Sequence, residues 1–280
     1  MEYQLKTTML LDFQNYLIRE EKSKNTLVKY LRDVRRFFME LKDGEYITKE
    51  SVIAYKQHLM ECYAASSVNS MLASLNHFLR FLGWLDCVVK TITIQREAFR
   101  SHEKELTKHE YLRLLEAARE SGNDRLALLM ETLGATGIRI GELPFITVEA
   151  AKFGSAMVTL KGKSRQVILP KKLKQKLLAY ASDRGIEAVP IFVTRTGKTV
   201  DRSNILREMK SLCETAEVDR KKVFPHNFRH MFACVFYQTH KDLSRLADLL
   251  GHSNINTTRI YTCISEEEHL QQIECLGLVA

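Results

Sequence analysis

Three short blocks in the carboxy-terminal part of the chain carry side chains able to do chemistry. Ala135-Thr136-Gly137-Ile138-Arg139-Ile140-Gly141-Glu142-Leu143 sets an arginine three residues before a carboxylate. His226-Asn227-Phe228-Arg229-His230 sets an arginine among histidines. Leu249-Leu250-Gly251-His252-Ser253 is followed by Thr257-Thr258-Arg259-Ile260-Tyr261-Thr262, which puts a tyrosine nine residues after His252. Guanidinium forks grip oxyanions, imidazoles carry protons and a phenol can act as a nucleophile. Singly, each residue has an ordinary structural use. Arg139 can pair with Glu142 at a surface, and Tyr261 is one of ten tyrosines. His226 and His230, at i and i+4 of one helix, have the spacing of metal ligands. The HExxH pattern is missing, however, and Arg229 between them would repel a dication, so the sequence assigns neither a metal nor a cofactor.

Taken together and in this order, the three blocks resemble the tyrosine recombinase (phage integrase) family, in its simple Xer-like layout. The resemblance is strong over residues 105–265 and looser over the first 85. It implies a DNA strand transferase that cleaves and rejoins through a 3′-phosphotyrosyl link, with no metal or ATP. It assigns the catalytic set Arg139, Lys161, His226, Arg229, His252 and Tyr261. The chemistry fits these residue types. A phosphodiester under attack gathers charge on its non-bridging oxygens, which bidentate guanidiniums stabilise better than ammonium groups do. Arg139 and Arg229 take that role, His226 assists in proton transfer, and His252 bonds the scissile phosphate. Tyr261 is the nucleophile; a free phenol has a pKa of about 10, so it needs the neighbouring cations and a proton acceptor. The lysine that protonates the departing 5′ oxygen is Lys161 or Lys163, with Lys161, beside Gly162, preferred. Glu142 orients the loop, and His230 packs or supports.

These groups need a scaffold, and the apolar spacing predicts mainly α-helix with a small β-sheet. The expected layout is a helical core-binding bundle at 1–85, a linker at 86–104 and an α+β breaking-and-rejoining domain at 105–280. In the first region Leu27, Leu31, Val34, Phe38 and Leu41 make one helical stripe, with Lys29, Arg32 and Arg36 on another face. Thr48 caps a second helix, to about Tyr63. A third starts near Ser66-Ser67 and ends near Gly83, with Ser67, Ser70, Ser74 and His77 on a side that could approach a phosphate backbone. Asn69 and Asn76 occupy positions where relatives often carry arginine. Further on, Thr107-x-x-Glu110 is a capping box, and the next helix runs from Asp124 to a stop near Gly134. Ser155–Leu160 and Arg165–Leu169 form a hairpin around a basic turn, with Ile191–Val193 joining it. Helices follow near 203–216, 227–238, 242–250 and 256–263. A tail helix, Glu266–Ala280, offers Leu270, Ile273 and Leu276 to its own domain or to a neighbouring subunit.

Composition is consistent with this. The net charge is +8, with 42 basic and 34 acidic residues. The surplus is three in the first hundred residues and five in the rest, so both parts can face one polyanion, here double-stranded DNA. No apolar run reaches a membrane span. With no export signal in the opening residues, the six cysteines read as buried reduced thiols of a cytoplasmic protein. The resemblance further implies a homo-tetramer on two DNA sites, joined by exchange of the tail. Type IB topoisomerases use similar residues but act alone, and the short helical amino-terminal region favours recombination. A silent DNA-binding relative would not need every catalytic position filled by a competent residue.

Overall fold

The computed structural model describes residues 2–6, 8–41, 46–94, 105–160, 163–187, 190–194, 196–252, 254–261, 270 and 274–276. Most of the tail, with Ile273, and the hairpin turn holding Lys161 lie outside them. The chain divides into two units, Met1–Arg96 and Glu97–Ala280.

In the amino-terminal unit, short apolar spacings build four helices: α1 (Thr8–Arg19), α2 (Lys24–Glu40), α3 (Lys49–Cys62) and α4 (Ala65–Phe81). Thr48 and Ser51 form a reciprocal capping box at the start of α3, so its first amides are satisfied before any packing. The minimal strands β1 (Tyr3–Gln4) and β2 (Tyr46–Ile47) pair antiparallel. Leu31, Val34 and Phe37 of α2 enter the core with Phe13, Leu59, Leu72 and Phe78, while Leu27, Phe38 and Leu41 cover its margin. Two polar expectations fail on α4. Ser74 is fully buried and donates to Asp33 at 2.9 Å. His77 sits among the rings of Phe13, Tyr16 and Tyr30. α2 covers Ser74, and rings of α1 and α2 enclose His77, whereas Ser67 and Ser70 stay exposed.

Asn69 and Asn76 instead seize the chain that leaves this unit. Asn76 donates to the Val89 carbonyl at 2.8 Å and accepts from the Val89 amide at 3.0 Å. Asn69 does the same to Ile92, at 2.8 and 2.7 Å. The spacing matches: seven helical residues rise about 10.5 Å, and three extended residues span about 10 Å. Lys49 and Lys56 of α3 donate to the Val88 and Lys90 carbonyls. Residues 88–92 are therefore extended, as expected of a linker, but docked in the amino-terminal unit.

In the carboxy-terminal unit, Thr107 and Glu110 cap α5 (Lys108–Glu120) reciprocally. α6 (Asp124–Thr136) runs through Gly134, whose missing side chain admits the Tyr111 ring, and ends at Gly137 in the left-handed region. α7 (Val148–Phe153) leads into the hairpin of β3 (Ser155–Leu160) and β4 (Lys163–Ile168), paired from Ser155↔Ile168 to Leu160↔Lys163. Ile191–Val193 does not extend this hairpin. Pro190 and Val193 make single bridges to Thr147 and Thr199, and Ile191 donates to the Ile146 carbonyl. α8 (Lys171–Asp183), α9 (Arg202–Ser211), α10 (Pro225–His240) and α11 (Leu243–Leu250) complete the unit. α9 ends earlier than 216, and the expected helix near 256–263 is two short 3-10 turns, Ile255–Thr257 and Arg259–Tyr261. The main core joins α5, α6, the hairpin, α8, α9 and α10. A separate small cluster of Ala233, Leu246, Leu250 and Tyr261 lies between α10 and α11. Cys87 and Cys213 are buried thiols, whereas Cys62 and Cys275 are exposed. Among the described residues, no helix is long and apolar enough to cross a membrane.

Candidate active site

Gly137 turns the end of α6 so that Arg139 opens a 3-10 helix, Ile140–Phe145. There the Glu142 carboxylate accepts from the Arg139 backbone amide at 2.8 Å and from its guanidinium at 3.1 Å. Glu142 is 1% exposed, so it needs more than one partner. Arg165 of β4 supplies the second, donating to it at 2.6 Å and to the Leu249 carbonyl at 2.6 Å. Burial pushes the Glu142 carboxyl up, but the Arg139 amide and the two guanidiniums outweigh it and hold the group below its ordinary range. Sequence reading passed over Arg165. The signal was the alternation Arg165-x-Val167-x-Leu169, which puts an arginine on the inward face of the hairpin.

Arg229 lies on the first turns of α10 and is 1% exposed. It donates to the Gly137 carbonyl at 2.6 Å and to the Leu250 carbonyl at 2.7 Å, each a helix-end acceptor left without an intrahelical partner. Burial first, then the charges of Arg139 and Arg165, depress its pKa below the usual arginine value. It stays cationic at neutral pH.

Arg229 also lies 2.9 Å from His252 Nε2, while His252 Nδ1 lies 2.9 Å from the Thr258 hydroxyl. A guanidinium only donates, so Nε2 accepts and the ring proton sits on Nδ1, facing Thr258. Burial and the charges of Arg229, Arg139 and Arg165 push His252 down to about 4, so it is neutral at pH 7. His226, exposed on the first turn of α10, is lowered by partial burial and then by Arg229 and Arg139.

Tyr261 is 4% exposed. Its ring stacks on His252 at 6.3 Å and meets His230 edge-on at 5.1 Å. Arg139, His226, Arg229, His252 and Tyr261 are thus gathered in one place, with Arg165 and Glu142 added. Lys161 lies outside the described residues, and of Lys163 only the backbone, at the start of β4, is described. Among the described residues, three guanidiniums against one carboxylate leave two positive charges in excess beside two neutral histidines and a phenol. Such a concentration of positive charge suits an oxyanion, and a phenol stands within the same cluster.

The description "Phage integrase family" matches residues 104–268, and "Phage integrase, N-terminal SAM-like domain" matches residues 10–85. The tyrosine recombinase XerA of Thermococcus kodakarensis is 30% identical over 272 residues, covering 94% of this chain and 93% of its own. A crystal structure of XerA recombinase is similar with 27% identity and a TM-score of 0.53, covering 98% of this chain and 99% of its own. The lambda integrase tetramer bound to a Holliday junction shares the fold at 19% identity and a TM-score of 0.73, covering 91% of this chain and 76% of its own. With arginines, histidines and a tyrosine gathered in one cluster and the match running along nearly the whole chain, this protein belongs to the phage integrase family and is a site-specific tyrosine recombinase.

Proposed function

We propose that the chain breaks and rejoins DNA by covalent catalysis from Tyr261, without metal or ATP. The observation that carries this reading is the arginine and histidine cluster. Arg229 is locked by two helix-end carbonyls, its guanidinium contacts His252, and the Tyr261 ring stacks on that same imidazole. Arg139 and Arg229 bind the non-bridging oxygens of the scissile phosphate and stabilise the charge that builds there. The Tyr261 oxygen attacks phosphorus, and the bond from phosphorus to the 5′ oxygen breaks. The phenolic proton passes to neutral His226, and Lys161 on the hairpin turn gives a proton to the departing 5′ oxygen. The products are a 3′-phosphotyrosyl link and a free 5′-hydroxyl. The link conserves the energy of the phosphodiester, so a 5′-hydroxyl from a second duplex can reverse the step and exchange strands. At rest the Arg259–Tyr261 turn keeps the nucleophile covered, and DNA docking uncovers it.

The two units hold duplex DNA together, and recombination requires four cleavages, hence a homo-tetramer on two sites. The lambda integrase tetramer on a Holliday junction supports this assembly by analogy. The tail after Ser265 docks on a neighbouring subunit and couples assembly to cleavage. Sites captured covalently from a pool of nicked duplexes of randomised sequence supply the test. Two copies of such a site should recombine in the presence of EDTA. Relaxation of a supercoiled plasmid without any exchange would assign the cluster to topoisomerase-like chemistry instead.

A further inference from the structure

Bordering the arginine cluster, beside the Tyr261 ring, two neighbours on α10 meet a residue distant in sequence. His230 and Cys234 stand one turn apart on α10, and Glu105 precedes α5. One ring nitrogen, one thiol sulfur and one carboxylate oxygen lie within 4.8 Å of one another, and all three residues are half-buried. His230 Nδ1 and Cys234 Sγ are 3.6 Å apart. Zinc holds sulfur at about 2.3 Å and imidazole nitrogen at about 2.05 Å, and two such ligands at the tetrahedral angle are about 3.6 Å apart. The pair therefore already has the edge length of a tetrahedral zinc site.

The donor set narrows the ion. A thiolate, an imidazole and a carboxylate suit zinc, whereas magnesium and calcium prefer oxygen alone. The arginine that argued against pairing His226 with His230 does not oppose this set. Arg229 is drawn to the Gly137 and Leu250 carbonyls, and Cys234 is the next i+4 neighbour of His230 along the helix. We propose that Glu105, His230 and Cys234 bind one zinc-class divalent cation, with water completing four-coordination. Binding converts the Cys234 thiol to a thiolate, its proton passing to buffer, with no change of oxidation state. The ion ties Glu105, just ahead of α5, to the middle of α10, beside the Tyr261 ring that His230 meets edge-on. Its role is to brace this region, and no step of strand transfer passes through it.

Cobalt(II) is the probe, titrated into the full-length chain without DNA, so the result is independent of the strand-transfer reading. One equivalent should give a thiolate-to-cobalt charge-transfer band with four-coordinate d–d bands, displaced by zinc and insensitive to magnesium. Cys234→Ser should abolish the charge-transfer band while helix content by circular dichroism is kept. Glu105→Gln, outside the helix, should weaken cobalt binding at least about tenfold, the least expected when a ligand set is disturbed. Zinc should raise the thermal midpoint of the wild type and not that of Cys234→Ser. A wild type without the charge-transfer band, or a Cys234→Ser variant that keeps it, would overturn the proposal.

Discussion

Among the described residues, each unit buries one carboxylate beside cations, and the two are used differently. In the amino-terminal unit, Asp33 is 3% exposed and accepts from Lys29 at 2.7 Å, Arg32 at 2.9 Å and Ser74 at 2.9 Å. The Lys29 ammonium also donates to the Ser70 carbonyl and the Ser74 hydroxyl, so its three protons end inside the protein. In the carboxy-terminal unit, Glu142 holds Arg139 and Arg165, but Arg229 stands beside them with no carboxylate partner among the described residues. The excess charge adds to the effect of burial: burial first, then the other two guanidiniums, depress Arg229, and burial with the three arginine charges brings His252 down to about 4. Around Asp33 the charges are satisfied by structure. Around Glu142, repulsion remains that an incoming phosphate would relieve, which is what separates a binding site from a structural knot.

Substitutions should divide along that line. Arg139→Ala or Arg229→Ala should slow covalent adduct formation by roughly a hundredfold or more, the scale of losing one oxyanion contact. Lysine at either position should restore little, because it cannot form the bidentate fork. Quench-flow assays of adduct yield measure both. Asp33→Ala should instead cost about 2 kcal/mol of folding stability, by stranding Lys29 and Ser74, while the adduct rate of the bound complex stays unchanged. A rate loss matching that of Arg139→Ala would erase the distinction.

The pH response gives a smaller contrast. His252 binds its proton near 4 in the folded state and near about 6.5 when unfolded. The unfolded chain therefore holds more protons between those values, and stability falls as pH drops from about 6.5 to about 4. His252→Gln should flatten that fall in urea melts followed by circular dichroism. Trp84, the only tryptophan, is stacked on Tyr3 in the amino-terminal unit. Its fluorescence transition responds to the depressed His77 of its own unit and should keep its pH dependence in His252→Gln.

The smallest effect concerns the docked segment. Asn69→Ala or Asn76→Ala each removes a pair of hydrogen bonds to 89–92 and should cost about 1 kcal/mol locally, read as faster amide exchange at Ile92 or Val89. Unchanged exchange would mean the segment is held by its apolar side chains alone.

The sequence shows most of the scaffold because caps and stripes are local signals. Thr107 with Glu110, Thr48, and the apolar positions of α2 are read without knowing any neighbour. The arginines, histidines and tyrosine are legible through their spacing, and the structure gathers Arg139, His226, Arg229, His252 and Tyr261. What periodicity cannot tell is which element covers a face. Ser74 and His77 lie at positions that read as solvent-facing until α2 brings Asp33 and Tyr30 against them. Asn69 and Asn76 read as weakened DNA contacts because their partners are backbone groups of a segment with no pattern of its own. Ile191–Val193 has strand composition, yet its pairing depends on the distant residues Thr147 and Thr199.

The strand-transfer reading stands or falls on Tyr261 as the proposed nucleophile of this cluster. Its most direct test is a nicked suicide duplex that lets the cleaved 5′ fragment diffuse away, followed by proteolysis and mass spectrometry of the trapped peptide. A nucleotide should be found attached to Tyr261 through a 3′-phosphate, formed equally in EDTA, with no adduct from Tyr261→Phe despite near-normal DNA binding. An adduct that persists in Tyr261→Phe, mapped to Tyr237 on α10, would contradict it.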